Sequence, residues 1–239
     1  MPGLYNNESI AHFENTALDF SLWIENSVLG QGVASTRETA VETEQKKPVP
    51  VGAGRTSGKQ WAAWMAGTLA FPVAGLAGRA LSGPVDGVGP ALIGGLVTGA
   101  VIGTAQGALS PRLPLLPWAA ATAAGVSAGL AAGSAAVGYG TSLGELATMG
   151  AITGVVTGAA QAVALGGRLP GWRRLAWPVA TSGIFAAGWT VTTLFGIDVE
   201  RQYTTFGATG ALVATALTGL LVQTLPAGTS TAEVERNAR

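Results

Sequence analysis

The chain has 239 residues, of which 36 are glycine, 48% are hydrophobic and only 11% carry a charge. A soluble domain carries about 25% charged residues, so a surface bathed in water on all sides is excluded; the mean hydropathy is +0.40. Thirteen basic residues balance thirteen acidic ones, leaving no net field to attract nucleic acid, and the lack of Cys and a single His (His12) exclude disulfides, thiol catalysis and Cys/His metal or haem ligation.

Residues 1–30 carry one amphipathic pattern. Ile10, Phe13, Ala17, Phe20, Ile24 and Val28 recur at helical spacing, and Gly30 supplies a stop. The polar face holds Glu8, Glu14, Asp19 and Glu25 rather than the Lys and Arg of a membrane-surface helix. This predicts a helix that docks on another membrane or cytoplasmic protein. Residues 31–59, rich in Thr, Glu, Gly and Pro, read as a flexible linker. Inside it, "AGRTSGKQ" has the outline of a phosphate-binding loop, but Ala53 replaces the first glycine and Gln60 the metal-binding hydroxyl. With no strand before it, it is not a nucleotide site.

Six apolar windows of membrane-spanning length follow, within 60–226: Trp61–Leu81, Val88–Leu109, Leu116–Tyr139, Gly144–Leu165, Trp172–Ile197 and Phe206–Leu225. None has a charge near its middle. The fold class expected is an all-α membrane protein of six transmembrane helices, with the bilayer as its partner and a disordered tail at 227–239. Basic residues set the orientation. Lys46, Lys47, Arg55, Lys59, Arg112, Arg168, Arg173, Arg174, Arg236 and Arg239 fall on one side, against Arg79 and Arg201 on the other. Both termini are therefore expected in the cytoplasm, the membrane being a cell membrane such as the bacterial inner membrane. Trp61, Trp64, Trp118, Trp172 and Trp177 fall at the same ends, where indoles favour headgroups.

The windows repeat. Thr98-Gly99, Gly103, Gln106 and Arg112-Leu113-Pro114 align with Thr153-Gly154, Gly158, Gln161 and Arg168-Leu169-Pro170. A worn third copy holds Thr209-Gly210, Ala214 and Leu225-Pro226, with Leu217 in place of the glutamine. The segments 61–114, 118–170 and 177–226 thus read as three parallel pseudo-repeated hairpins, each a Trp-led helix followed by a Gly-rich one, around a pseudo-threefold axis.

Small residues recur every four positions: Gly95, Gly99, Gly103 and Gly107; Gly125, Gly129 and Gly133; Gly150, Gly154 and Gly158. The first helix carries Ala62, Ala66, Ala70, Ala74 and Gly78 in the same way. Helices in lipid associate by close backbone approach, which such glycine zippers allow. Gln106, Gln161, Thr98, Thr153 and Thr209 are the repeated polar positions, expected to bond to neighbouring helices or back to their own. Ser142 and Glu145 have the spacing of a capping box, Glu145 being the alternative charged site on the outer side. Asp198, Glu200 and Arg201 share one outer loop. No His, Asp or Glu constellation lies at a shared depth, so neither a cofactor nor enzymatic activity is expected. The function expected is a tightly packed scaffold or a subunit of a membrane assembly, with a dry interior. The alternative is a small-solute transporter or channel on the threefold axis.

Overall fold

The computed structural model describes residues 53–169, 171–197 and 204–226, with side chains from residue 58 onward. The amphipathic segment 1–30, the loop charges Asp198, Glu200 and Arg201, and the 227–239 tail lie outside the described residues. The regular elements among them are all helices, the longer ones being α1 (Ala53–Ala66), α2 (Ala70–Ser82), α3 (Val88–Leu109), α4 (Leu115–Ala136), α5 (Leu143–Leu165), α6 (Arg173–Leu194) and α7 (Ala208–Gln223). Helix α1 begins inside the stretch read as a linker, and the phosphate-loop look-alike forms its first two turns.

Among the described residues, four helical stretches are long and apolar enough to cross a membrane: Gly58–Ser82, Val88–Leu109, Leu115–Ala136 and Leu143–Arg168. Helix α6 has the length but opens on Arg173-Arg174 and carries Thr181, Ser182, Thr190, Thr192 and Thr193. Helix α7 is apolar but has only 16 residues, about 24 Å at 1.5 Å per residue, short of a core about 30 Å thick.

The first stretch is not one straight helix. Gly67–Leu69 form a 3-10 turn between α1 and α2, and Pro72 accounts for it. Proline has no N–H to give the Thr68 carbonyl four residues back, and its ring crowds that group. The tighter turn rotates the small-residue stripe out of register. Gly67, Phe71, Ala74 and Gly78 are buried, whereas Ala62 and Ala66 are exposed. Two other helices end in glycines of positive φ, Gly138 at 59° and Gly196 at 65°. Each lets the next N–H reach back five residues, Tyr139 to Ser134 at 2.8 Å and Ile197 to Thr192 at 3.3 Å.

Each helix from α2 to α7 packs against the next, and α7 returns against α1 and the Gly67–Leu69 turn, closing a ring. Short connections make neighbours antiparallel, and glycine sets their spacing. A Cβ on Gly95, Gly99 or Gly103 of α3 would lie 2.6–3.0 Å from backbone atoms of Ser127, Thr122 or Ala119 of α4, and one on Gly107 3.0 Å from Leu115 Cα. Helix α4 presents its own glycines to α5: at Gly125, Gly129 and Gly133 a Cβ would meet the backbones of Thr157, Thr153 and Met149 at 2.6–2.8 Å. Helix α5 repeats the step toward α6, with Gly150 on the Phe185 carbonyl, Gly154 on Thr181 and Gly158 on Pro178, at 2.5–2.8 Å. Gly210 of α7 stands against the Gly188 carbonyl and the Thr192 hydroxyl of α6. Four residues along one helix answer four residues back along its neighbour, so any larger side chain forces two backbones apart.

The outward surface is apolar. Val163 is 81% exposed, Leu116 77% and Leu76 72%, while Thr98, Thr122, Thr153, Thr157, Thr181 and Gln161 are buried. Large aliphatic side chains outside and hydroxyls inside invert the water-soluble pattern. The arrangement is that of a protein whose outer solvent is lipid.

Candidate functional site

The ring encloses a chamber of about 50 Å³ walled by α2 to α7 and by the Thr204–Phe206 segment. Its lining runs from Trp118 to Leu130 on α4, about 18 Å at 1.5 Å per residue. The glycines of α3 and α5 face neighbouring helices in the ring. The interior wall carries Thr, Gln, aromatic and aliphatic residues around open space, so the axis is not fully filled as the glycine pattern led one to expect.

At one end the wall is an array of indoles and amides. Gln106 sits one turn before the end of α3, and Trp118 one turn into α4. The hairpin brings them to one depth, and Trp118 Nε1 donates to Gln106 Oε1 at 3.1 Å. The α5–α6 hairpin does the same, Trp177 Nε1 donating to Gln161 Oε1 at 3.2 Å. Gln161 Nε2 donates to Thr122 Oγ1 of α4 at 3.1 Å, and Thr181 Oγ1 donates to the Trp177 carbonyl at 2.8 Å. The Trp118 and Trp177 rings meet edge to face, centroids 6.1 Å apart. In α7, where Leu217 replaces the glutamine, Trp64 Nε1 instead donates to the Thr215 carbonyl at 2.8 Å. Trp64, Trp118 and Trp177 are buried and belong to the core, whereas Trp61 and Trp172 are exposed. The headgroup role inferred from sequence therefore fits only the latter two.

The other end is aromatic. The Thr204–Gly207 segment before α7 is buried although not helical. Irregular backbone at such depth is tolerated where protein surrounds it. Thr204 Oγ1 reaches the Gly75 carbonyl at 3.5 Å. Phe206 enters a cage of Phe71, Phe185 and Trp189, with centroid distances of 5.9, 5.2 and 5.5 Å. Gly188 makes room, since a Cβ there would lie 3.1 Å from the Phe206 ring.

The three repeated threonines behave differently. Thr98 Oγ1 donates across to the Ala74 carbonyl at 3.3 Å, Thr153 Oγ1 back to Met149 at 2.8 Å, and Thr209 Oγ1 is buried without a partner among the described residues. Glu145 lies away from the chamber and caps α5: Ser142 N donates to Glu145 Oε2 at 2.8 Å and Glu145 N to Ser142 Oγ at 3.4 Å. No Asp, Glu, Lys, Arg or His appears among the residues lining the chamber. Among the described residues no three His, Cys, Asp or Glu gather where a metal could sit. The chamber can bind through neutral hydrogen bonds and apolar contact.

The sequence pointed to both glutamines but not to their partners Trp118, Trp177 and Thr122, nor to Phe206. A signal was present: a tryptophan follows each repeated glutamine across a short loop, 12 residues on in one copy and 16 in the other. No protein-family model, curated protein or solved structure matches the chain.

Proposed function

We propose that the chain is a six-span integral membrane protein that acts, without enzymatic activity, as a packed scaffold or subunit of a membrane assembly. Its partners are the bilayer and, through residues 1–30, another membrane or cytoplasmic protein, with no nucleic acid and no cofactor. Both termini face the cytoplasm of a cell, the membrane being of the bacterial inner type. Lys59, Arg112, Arg168, Arg173 and Arg174 gather at the tryptophan end, while Asp86, Glu145 and Arg79 lie at the other, and this asymmetry supports the orientation. The three parallel hairpins are supported by their tryptophans. Trp118, Trp177 and Trp64 each bond to the Gly-rich helix of the preceding hairpin, cyclically. The four-residue glycine contacts then act as zippers both within the middle hairpin and between hairpins.

One observation carries the scaffold reading over the channel. Water needs roughly 10–15 Å³ of such space per molecule, so about 50 Å³ holds about four. Hydrogen-bonded oxygens stand about 2.8 Å apart, so four waters reach about 8 Å, under half of the lined length. A conducting path needs polar groups along its whole course, and Phe206 with its cage ends this one. The second reading, a small-solute channel or transporter, draws on the amides and hydroxyls that line the other half. Purified protein in proteoliposomes separates them. A scaffold leaves potassium, proton and glycerol flux at the level of empty vesicles, and saturable flux of any of them establishes the second reading instead.

A further inference from the structure

The two halves of the chamber differ in chemistry, and the difference says what fills it. At the tryptophan end several hydrogen-bonding atoms are left over. Gln106 accepts from Trp118, but its amide NH₂ meets no acceptor among the described residues. Thr122 accepts from Gln161, yet its own hydroxyl proton has no acceptor there either. Gln161 uses one of its two N–H groups. Thr181 has donated its proton to the Trp177 carbonyl and keeps its lone pairs. Donors and acceptors thus line one neutral space; Thr122, Gln161 and Thr181 are buried and Gln106 is half-buried, and a buried polar group left without a partner costs about 1–3 kcal/mol. A water is held stably where two to four polar partners converge in enough room. At the Phe206 end Thr98, Thr153, Thr204 and Thr205 also line the wall, but the first three already donate to the carbonyls of Ala74, Met149 and Gly75, and the rest is aromatic rings in mutual contact, so fewer open partners converge there.

We propose that the chamber is a hydrated site: water occupies the half bounded by Gln106, Thr122, Gln161 and Thr181, and the Phe206 half is dry. The wall is uncharged, so the site takes water or another neutral hydrogen-bonding molecule of that size. An ion would lose its hydration there without a counter-charge. The waters complete the hydrogen bonding of the amide array and let two glutamines sit between helices. They do not form a file across the membrane.

Hydroxyl radicals made in place by an X-ray pulse test this, because a trapped water oxidises the side chain beside it even where bulk solvent is absent. Trp118, Trp177 and Trp189 are 2%, 3% and 3% exposed, so three side chains of one type and equal burial are compared within one molecule. With the full chain in lipid nanodiscs, Trp118 and Trp177 oxidise at least fivefold faster than Trp189. Equal rates, or a faster Trp189, overturn the proposal. Thr122→Val lowers the Trp177 rate at least threefold and Thr122→Ser leaves it unchanged; a folded Thr122→Val protein with the wild-type rate also overturns it. Oxidation is read without any solute flux, so this proposal and the scaffold reading can fail independently.

Discussion

Trp177 and Gln161 stand 3.2 Å apart across the α5–α6 hairpin, the indole N–H donating to the amide oxygen. The same amide donates to Thr122 of α4 at 3.1 Å. One side chain thereby joins three consecutive helices at a single depth.

Gln161→Leu removes both bonds and leaves the Trp177 N–H buried without an acceptor. Such a loss costs about 1–3 kcal/mol, toward the lower end in a membrane, where interhelical hydrogen bonds measure about 0.6–2 kcal/mol. Titration with a denaturing detergent, followed by tryptophan fluorescence, reads the change. Adding Trp177→Phe to Gln161→Leu should cost less than the two single effects together, since the orphaned donor is gone. Full additivity would show that the bond contributes nothing.

Glycine contacts give a graded prediction. Gly125→Ala places a Cβ 2.6 Å from Thr157 Cα, and backbone cannot move aside cheaply, so about 1–3 kcal/mol is lost. Gly183, on α6, has nothing within 4 Å of a Cβ. Gly183→Ala should be neutral or stabilising by up to about 1 kcal/mol through helix propensity. Gly99→Leu and Gly154→Leu should yield no folded protein. Thermal unfolding in detergent ranks the series, and equal stability of Gly125→Ala and Gly183→Ala would refute the contact argument.

Topology is checked by reporter fusions. A fusion after Gly140, between α4 and α5, should report the external side, and one after Gly171 the cytoplasm. Both on one side would mean that α5 does not cross.

Ser142→Ala removes the side-chain acceptor for the first turn of α5, at a cost of about 1 kcal/mol. The loss is local. Amide exchange at Glu145 and Leu146 should accelerate, while that at Thr153 stays unchanged.

How much could be read beforehand depends on the solvent. Lipid-length windows and four-residue glycine spacing were legible because backbone satisfaction and close approach leave direct marks on composition. Val88–Leu109 was delimited to the residue. Which face turns inward was not legible for Trp118 or Trp177. Helices α3 to α5 are apolar all the way round, so no polar stripe distinguishes core from lipid. An indole then fits the headgroup boundary and the bundle interior equally well until its hydrogen-bond partner is located. The break at Gly67–Leu69 was half legible: Pro72 was visible, but its effect falls a turn upstream. Phe206 was read as the start of a span, and only burial of the non-helical Thr204–Gly207 segment shows it as part of the interior.

Glycine meets backbone at every step from α3 to α6, so those four helices form one stiff plank. The ring closes differently. Helix α7 is held to α1 by the Trp64 indole lying over Gly219, and to the α3–α4 loop by Arg112, which donates to the Gln223 carbonyl at 3.2 Å and to the Leu225 carbonyl. That joint is a latch, and the order of synthesis makes it the last to fasten: α7 leaves the ribosome after the plank is complete, when Trp64 and Arg112 are already waiting for it. On this reading the α3–α6 strip stays open until α7 docks, and loosening of the folded molecule is expected to begin at that joint. Native-state amide exchange that opened the α4–α5 contact before the α1–α7 joint would reverse that order.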